Sequence, residues 1–174
     1  MTKKAITRIA HEYKNIIPNE YYSIIPDEKD MFKCTGILFG PVTTCFEGGI
    51  WSFEINFPIE YPLKPFQFKI TSKFPHPNIY EDGRMCISIL HDGIDETGYE
   101  DSSIRWSPVQ NIHSVLMSII SMLNDPNLDS PANVDMTKLW RDNRKEYNNL
   151  IYKIANLLLH SLHPCQQFCI FFSH

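Results

Sequence analysis

The sequence predicts an α+β domain: an N-terminal helix, a four-stranded antiparallel meander, an aperiodic loop segment, then C-terminal helices. Three observations carry this prediction. Two segments alternate apolar and polar residues with a period of two, as a half-buried strand does. The connectors between strand candidates, GPVTTCFEGG and FPIEYPLKP, are short and rich in Pro and Gly, so they cannot hold the crossover helix that parallel pairing needs. Apolar residues at helical spacing gather before the strands and again after residue 107, the order expected of α+β rather than α/β.

Taken in order, residues 3 to 17 read as an amphipathic helix. Ile6, Ile9, Ala10, Tyr13 and Ile17 form one stripe, Lys4, Arg8 and His11 another, and Pro18 follows the end. Strand candidates lie at residues 22 to 25 and 31 to 39. Two with clean alternation follow, on Trp51, Phe53, Ile55 and Phe57 and on Phe66, Phe68 and Ile70. From Phe74 to Ser107 neither period is present, and a structureless run of that length in a compact domain is usually functional. SPVQ suits a helix start, with Ser107 as N-cap, Pro108 as first helical residue and Gln110 completing a capping box. Ile112, Val115, Leu116, Ile119, Ile120 and Leu123 continue it until Asp125-Pro126. A short helix is expected over residues 134 to 140, and a last one on Tyr147, Leu150, Ile151, Ile154, Leu157 and Leu158.

A chain of 174 residues suits one domain with a single sizeable core. With 43% hydrophobic and 13% aromatic residues it has the composition of a globular protein, not a disordered one. The net charge of -4 supplies no general attraction to nucleic acid, and none is expected as a partner. The N-terminal segment has no apolar run that would read as a secretory signal, and IANLLLHSLHPCQQFCIFF is too interrupted for a transmembrane segment. Five irregularly spaced cysteines fit a reducing compartment, cytosol or nucleus.

The aperiodic segment contains HPNIYEDGRMCISIL, and its residues alone leave three roles open for Cys86. A free cysteine is often a small buried hydrophobe, the reading given to Cys34 and Cys45 in or beside strands. A metal ligand is the weakest role, because His76 and Cys86 lack close partners at zinc-site spacing; His160, His163, Cys165 and Cys169 near the C-terminus are a second, equally irregular set. A nucleophile fits the polar surroundings, with Arg84 two residues before the thiol and His76, His91 and His113 as conceivable bases.

HPNIY, GRMCISIL, WSPVQ and DPNLDSPAN resemble, in order and spacing, the core of a ubiquitin-conjugating enzyme, and YPLKP resembles the family's ligase-facing loop. The likeness runs from about residue 3 to about residue 162. The acidic stretch HDGIDETGYEDSSIR between Cys86 and Trp106, together with WRDNRKEY, is similar to the G-type members. The resemblance divides the chain into a core domain, 1–163, and a tail, 164–174, without family counterpart.

It implies that Cys86 accepts ubiquitin as a thioester from the activating enzyme and passes it to a substrate lysine with a ligase of the RING type. Asn78 is the family's expected oxyanion donor, with fixing of its own loop as a compatible role. Asp129 and Ser130 belong to the expected surroundings of the acceptor lysine. Because Ser130 stands where many members carry an acid, His91, Asp92 or Asp95 becomes the substitute; a solvated loop with no catalytic contact is the alternative. Lys4, Arg8 and His11, with Leu63, Ser107 and Pro108, match the family's surface for activating enzyme and ligase. No metal or organic cofactor is implied. The implied location is cytoplasmic, including the cytosolic face of the endoplasmic reticulum in protein degradation, with the nucleus also open.

Overall fold

A computed structural model describes residues 2–98 and 100–161, so the tail, with His163, Cys165 and Cys169, lies outside the described residues. Helix α1 (Thr2–Lys14) precedes strands β1 (Tyr22–Pro26), β2 (Lys33–Phe39), β3 (Ile50–Asn56) and β4 (Gln67–Ile70). Helices α2 (Ile112–Asn124), α3 (Val134–Asp142) and α4 (Arg144–Ser161) complete the chain. The sheet order is β1-β2-β3-β4, antiparallel throughout, the meander that the short connectors require. Between β4 and α2 the segment makes two isolated bridges and two single turns of 3-10 helix, Ser88–Leu90 and Ser102–Ile104.

Alternation along the strands decides which face is covered. Leu38, Trp51, Phe53, Ile55, Phe68 and Ile70 point into one cluster with Val115, Leu116 and Ile119 of α2 and Tyr147 and Ile151 of α4. Gly36 sits opposite Phe53, where a Cβ would stand 2.3 Å from the Phe53 ring and 2.4 Å from the Ser23 carbonyl, so only glycine lets that ring cross the sheet. A second aromatic group, Phe57, Tyr61, Phe66 and Trp106, fixes the Pro-rich loop after β3, with ring centroids 4.9 to 6.2 Å apart.

Two helix expectations need correction. α2 begins at Ile112, not beside Pro108. Asn111 is the N-cap: its side chain accepts the Ser114 N–H (2.9 Å), while Ser114 Oγ accepts the Asn111 N–H (3.0 Å). This reciprocal box outcompetes Ser107 and leaves residues 107–110 as a separate turn, closed by Gln110 N–H to Ser107 C=O (2.9 Å). In α1 the buried positions are Ala5, Ile9 and Glu12, with Tyr13 half-buried, whereas Ile6, Ala10 and Ile17 are exposed and the helix stops at Lys14. The helix is rotated from its apolar stripe because the Glu12 carboxylate, held by Arg8 Nε (2.7 Å), accepts the Ile112 N–H at the start of α2 (2.8 Å). A helix N-terminus has unpaired donors and attracts an anion, which hydropathy along α1 cannot report.

Candidate active site

The aperiodic segment folds into a narrow hairpin that carries Cys86. The Cys86 N–H donates to the Asn78 carbonyl (2.9 Å), Ile79 bridges Met85, and the Tyr80 N–H donates to the Arg84 carbonyl (2.9 Å). Gly83 closes the turn at φ +87°, with its carbonyl accepting the Ile70 N–H (2.9 Å); a Cβ there would lie 1.9 Å from the Ile70 oxygen. The hairpin is therefore docked on the edge of β4, and the eight-residue spacing from Asn78 to Cys86 sets the two facing each other. Cys86 is half-buried, neither sealed in the core nor fully in solvent.

Asn78 is the hub of this arrangement and is fully buried. Its Nδ2 donates to the carbonyls of Asn127 (2.7 Å) and Ser130 (3.2 Å), and the Pro77 carbonyl accepts the N–H groups of Ala132 (2.8 Å) and Asn133 (2.9 Å). The two carbonyls fix which way the amide faces, since turning it over would set oxygen against oxygen. Asn78 Oδ1 is buried with no partner among the described residues. Both Nδ2 hydrogens thus brace the 127–130 loop, so in this conformation neither is free to meet an oxyanion. Asn78→Ala is expected to lower stability by about 1–3 kcal/mol, because two carbonyls lose their donor. A urea midpoint unchanged from the parent would show that these bonds hold nothing.

Asp129 is exposed and Ser130 half-buried. Their N–H groups donate to Asn127 Oδ1 (3.0 and 3.3 Å), so this loop reaches the hairpin through backbone rather than through an acid.

His76 is a packing residue. It is fully buried beside Phe46, Phe74 and Trp140, and its Nδ1 accepts the Asn78 N–H (3.1 Å), which leaves the ring proton on Nε2. Burial pushes its pKa down to about 4, against the pull of the Leu123 and Met122 carbonyls. An unfolded histidine takes its proton near pH 6.5, so this ring destabilises the fold as pH falls from about 6.5 to about 4, by on the order of 3 kcal/mol at the end. An NMR titration of His76 with a midpoint near 6.5 would contradict this.

The acidic insertion is an ordered loop. The Glu100 carboxylate accepts Ser88 Oγ–H (2.6 Å), meets His91 Nδ1 (2.8 Å) and pairs with Arg105 Nη1. Partial burial opposes ionisation of Glu100. The hydrogen bonds from Ser88 and His91 and the charges of His91 and Arg105 outweigh it, holding the carboxyl below the usual range. Asp95 is occupied within the loop, accepting the Thr97 N–H (3.0 Å), Thr97 Oγ–H (2.7 Å) and Glu100 N–H (2.8 Å). Asp92 is exposed. Of the three substitutes for a missing acid, His91 is paired and Asp95 is used structurally, which leaves the Asp92 carboxylate facing solvent.

No histidine of the three conceivable bases is hydrogen-bonded to Cys86 among the described residues: His113 Nδ1 pairs with the Tyr22 hydroxyl (2.7 Å), and His76 and His91 have the partners given above. Arg84 is likewise engaged, with Nε on Asp82 Oδ2 at 2.6 Å. Among the described residues no three His, Cys, Asp or Glu side chains converge as a metal site.

The expected partner surface is one tied patch. Leu63 (66% exposed), Pro108 and Val109 (84% exposed) stand out, and Ser107 is half-buried. Beneath them the buried Trp106 donates from Nε1 to the Pro62 carbonyl (2.9 Å). Lys4 and His11 are exposed, but Arg8 is partly covered and spans from Glu12 to the Gln110 carbonyl (2.8 Å). Sequence reasoning missed Glu12, Glu100 and Arg105. Their partners lie in aperiodic or distant segments, so no local pattern could have shown them.

The family model for ubiquitin-conjugating enzymes matches residues 8–155. The chain is 44% identical to ubiquitin-conjugating enzyme E2 G2 of Homo sapiens over 163 residues, which cover 91% of this chain and 96% of that protein. It is 43% identical to ubiquitin-conjugating enzyme E2-18 kDa of Schizosaccharomyces pombe over 159 residues, covering 89% and 96%. With ubiquitin-conjugating enzyme E2 14 of Arabidopsis thaliana it shares 48% over 126 residues, covering 72% and 75%. The chain therefore belongs to the ubiquitin-conjugating enzyme family, in its G-type branch.

Proposed function

We propose that Cys86 is the residue through which this enzyme carries ubiquitin. The observation that supports it best is a half-buried cysteine whose backbone N–H is paired with the Asn78 carbonyl in a hairpin braced from both sides. The Cys86 thiolate attacks the thioester carbonyl presented by the activating enzyme; the new C–S bond forms as the old one breaks and the donor's thiolate leaves. A substrate amine then attacks the Cys86 thioester, the C–N bond forms, Cys86 leaves as thiolate, and the amine's proton is lost. Thioester exchange is nearly balanced, so the first step asks for access rather than a strong base. The second builds a tetrahedral oxyanion and must deprotonate an ammonium.

Asn78 serves this second step by holding the 127–130 loop and the hairpin in register; an Nδ2–H reaches the oxyanion only by giving up a carbonyl. His91, Asp92 and Asp95, with Asp129 and Ser130, form the surroundings of the acceptor lysine, and within the insertion Asp92 is the carboxylate best placed to meet it, being exposed where Asp95 is used structurally. Lys4, Arg8, His11, Leu63, Ser107 and Pro108 receive the activating enzyme and a ligase of the RING type. The core extends to residue 163, and the enzyme acts on protein substrates in the cytoplasm, in degradation at the cytosolic face of the endoplasmic reticulum. None of the described helices is long and apolar enough to cross a membrane.

Incubated with activating enzyme, ubiquitin and ATP, the protein should form an adduct that a thiol reductant removes. Ubiquitin binding without such an adduct would indicate a scaffold instead.

A further inference from the structure

The exposed Asp92 owes its position to a fastening that runs across the acidic stretch, from Arg105 at its end back to residues 92 and 93 at its start. Arg105 spreads its guanidinium across both ends of the insertion: Nη2 donates to the Asp92 carbonyl (2.8 Å), Nε to the Gly93 carbonyl (2.9 Å), and Nη1 pairs with Glu100. Its side chain is 11% exposed and that of Glu100 14%, so the pair is shielded although the loop around it is not. Glu100 extends the link to Ser88, two residues past Cys86. Trp106, the next residue, donates its N–H to the His91 carbonyl (3.1 Å) and is itself buried, which anchors Arg105 from behind. A planar guanidinium with five donors in fixed directions can hold three acceptors at once, and an ammonium cannot match that geometry.

We propose that Arg105 and Glu100 are positioning residues for the transfer step, holding the neck of the insertion so that the Asp92 carboxylate faces an acceptor amine arriving at Cys86. This rests on the reading of Cys86 as the ubiquitin carrier. The two are separable because charging reports on Cys86 and discharge to an amine reports on the insertion. Neither Arg105 nor Glu100 touches the incoming amine. The residue acted through is Asp92, whose own carbonyl Arg105 holds.

The test uses the full chain, charged with ubiquitin and then discharged to free lysine over a range of lysine concentrations. Arg105→Met is expected to charge within about twofold of the parent but to discharge roughly tenfold more slowly at saturating lysine, the scale of effect that follows from misplacing a catalytic group. Arg105→Lys should recover only part of the loss. Glu100→Gln, which keeps the shape and an acceptor for Ser88, should fall between Arg105→Met and the parent and serves if Arg105→Met is poorly folded. The deciding comparison is with Asp92→Asn: if Arg105 acts through Asp92, the double variant discharges no more slowly than Asp92→Asn alone. Multiplying defects, an Asp92→Asn variant that discharges normally, or an Arg105→Met defect equal in charging and discharge would each overturn the proposal. A parent protein that never charges would overturn the Cys86 reading instead.

Discussion

Replacing Glu12 by alanine is expected to destabilise the fold by about 3–5 kcal/mol, a large share of the stability of a domain this size. The Glu12 carboxylate is almost fully buried where three parts of the chain meet. It accepts from Arg8 Nε within α1, from the Tyr61 hydroxyl in the Pro-rich loop, and from the Ile112 N–H at the first residue of α2. Alanine would leave a buried phenol and a helix N-terminal N–H without acceptors, and would strip Arg8 of its counter-charge while the Gln110 carbonyl still holds it. Burial, then the hydrogen bond to the Glu12 carboxylate, hold the Tyr61 hydroxyl far above its ordinary pKa. Tyr61 therefore stays a donor throughout the working pH range and cannot adjust to the loss. In Glu12→Gln one amide oxygen can serve some of the donors while its NH₂ opposes another, so a smaller loss of about 1–3 kcal/mol is expected.

Urea unfolding of Glu12→Ala, Tyr61→Phe and the double variant measures the coupling directly. A loss below about 1 kcal/mol for Glu12→Ala would mean that the junction of α1 with α2 does not depend on this carboxylate. On the proposed assignment of Lys4 and His11 of α1 and the 107–110 turn to the activating-enzyme surface, charging by that enzyme should fall for these variants.

The same junction shows what the sequence could and could not disclose. The strands were legible because Phe53, Ile55, Phe68 and Ile70 repeat with the pleat, and the meander because the connectors leave no room for a crossover. α2 was legible in its body, from Ile112 to Leu123, but not at its start, where two capping boxes competed and Asn111 with Ser114 prevailed. α1 was misread by one face because the residue that orients it is an acid bonded to a segment 100 residues away.

At the site, HPN and Cys86 were recognisable as ordered motifs, while the bracing of Asn78 by Asn127 and Ser130 depends on backbone carbonyls that every residue has. Arg105 and Glu100 read as two more charges in an acidic loop; their meaning is geometric. Glu100 also changes the reading of His91, which the sequence offered as a free base and which the fold pairs with a carboxylate.

Cys86→Ala is expected to abolish the reductant-sensitive adduct altogether, an effect of a different order from any positioning defect. The other described cysteines are poor substitutes. Cys34 is buried, with its thiol pushed up to about 11 by that burial although a hydrogen bond with Tyr13 works the other way, and burial also raises Cys45 against the nearby Arg144 charge. A thiol that burial keeps protonated is a weak nucleophile toward an acyl donor. Cys86→Ser separates loss of the nucleophile from loss of the fold, because a serine oxygen can still take the acyl group, slowly, as an ester that a thiol reductant does not cleave.

The most direct measurement is to charge the parent and the Cys86→Ser variant and to locate the ubiquitin carbonyl by peptide mass spectrometry. Acyl transfer to residue 86 in both, lost to reductant only in the parent, is the predicted result. A reductant-sensitive adduct of equal yield in Cys86→Ser, mapped to any other cysteine, would contradict it.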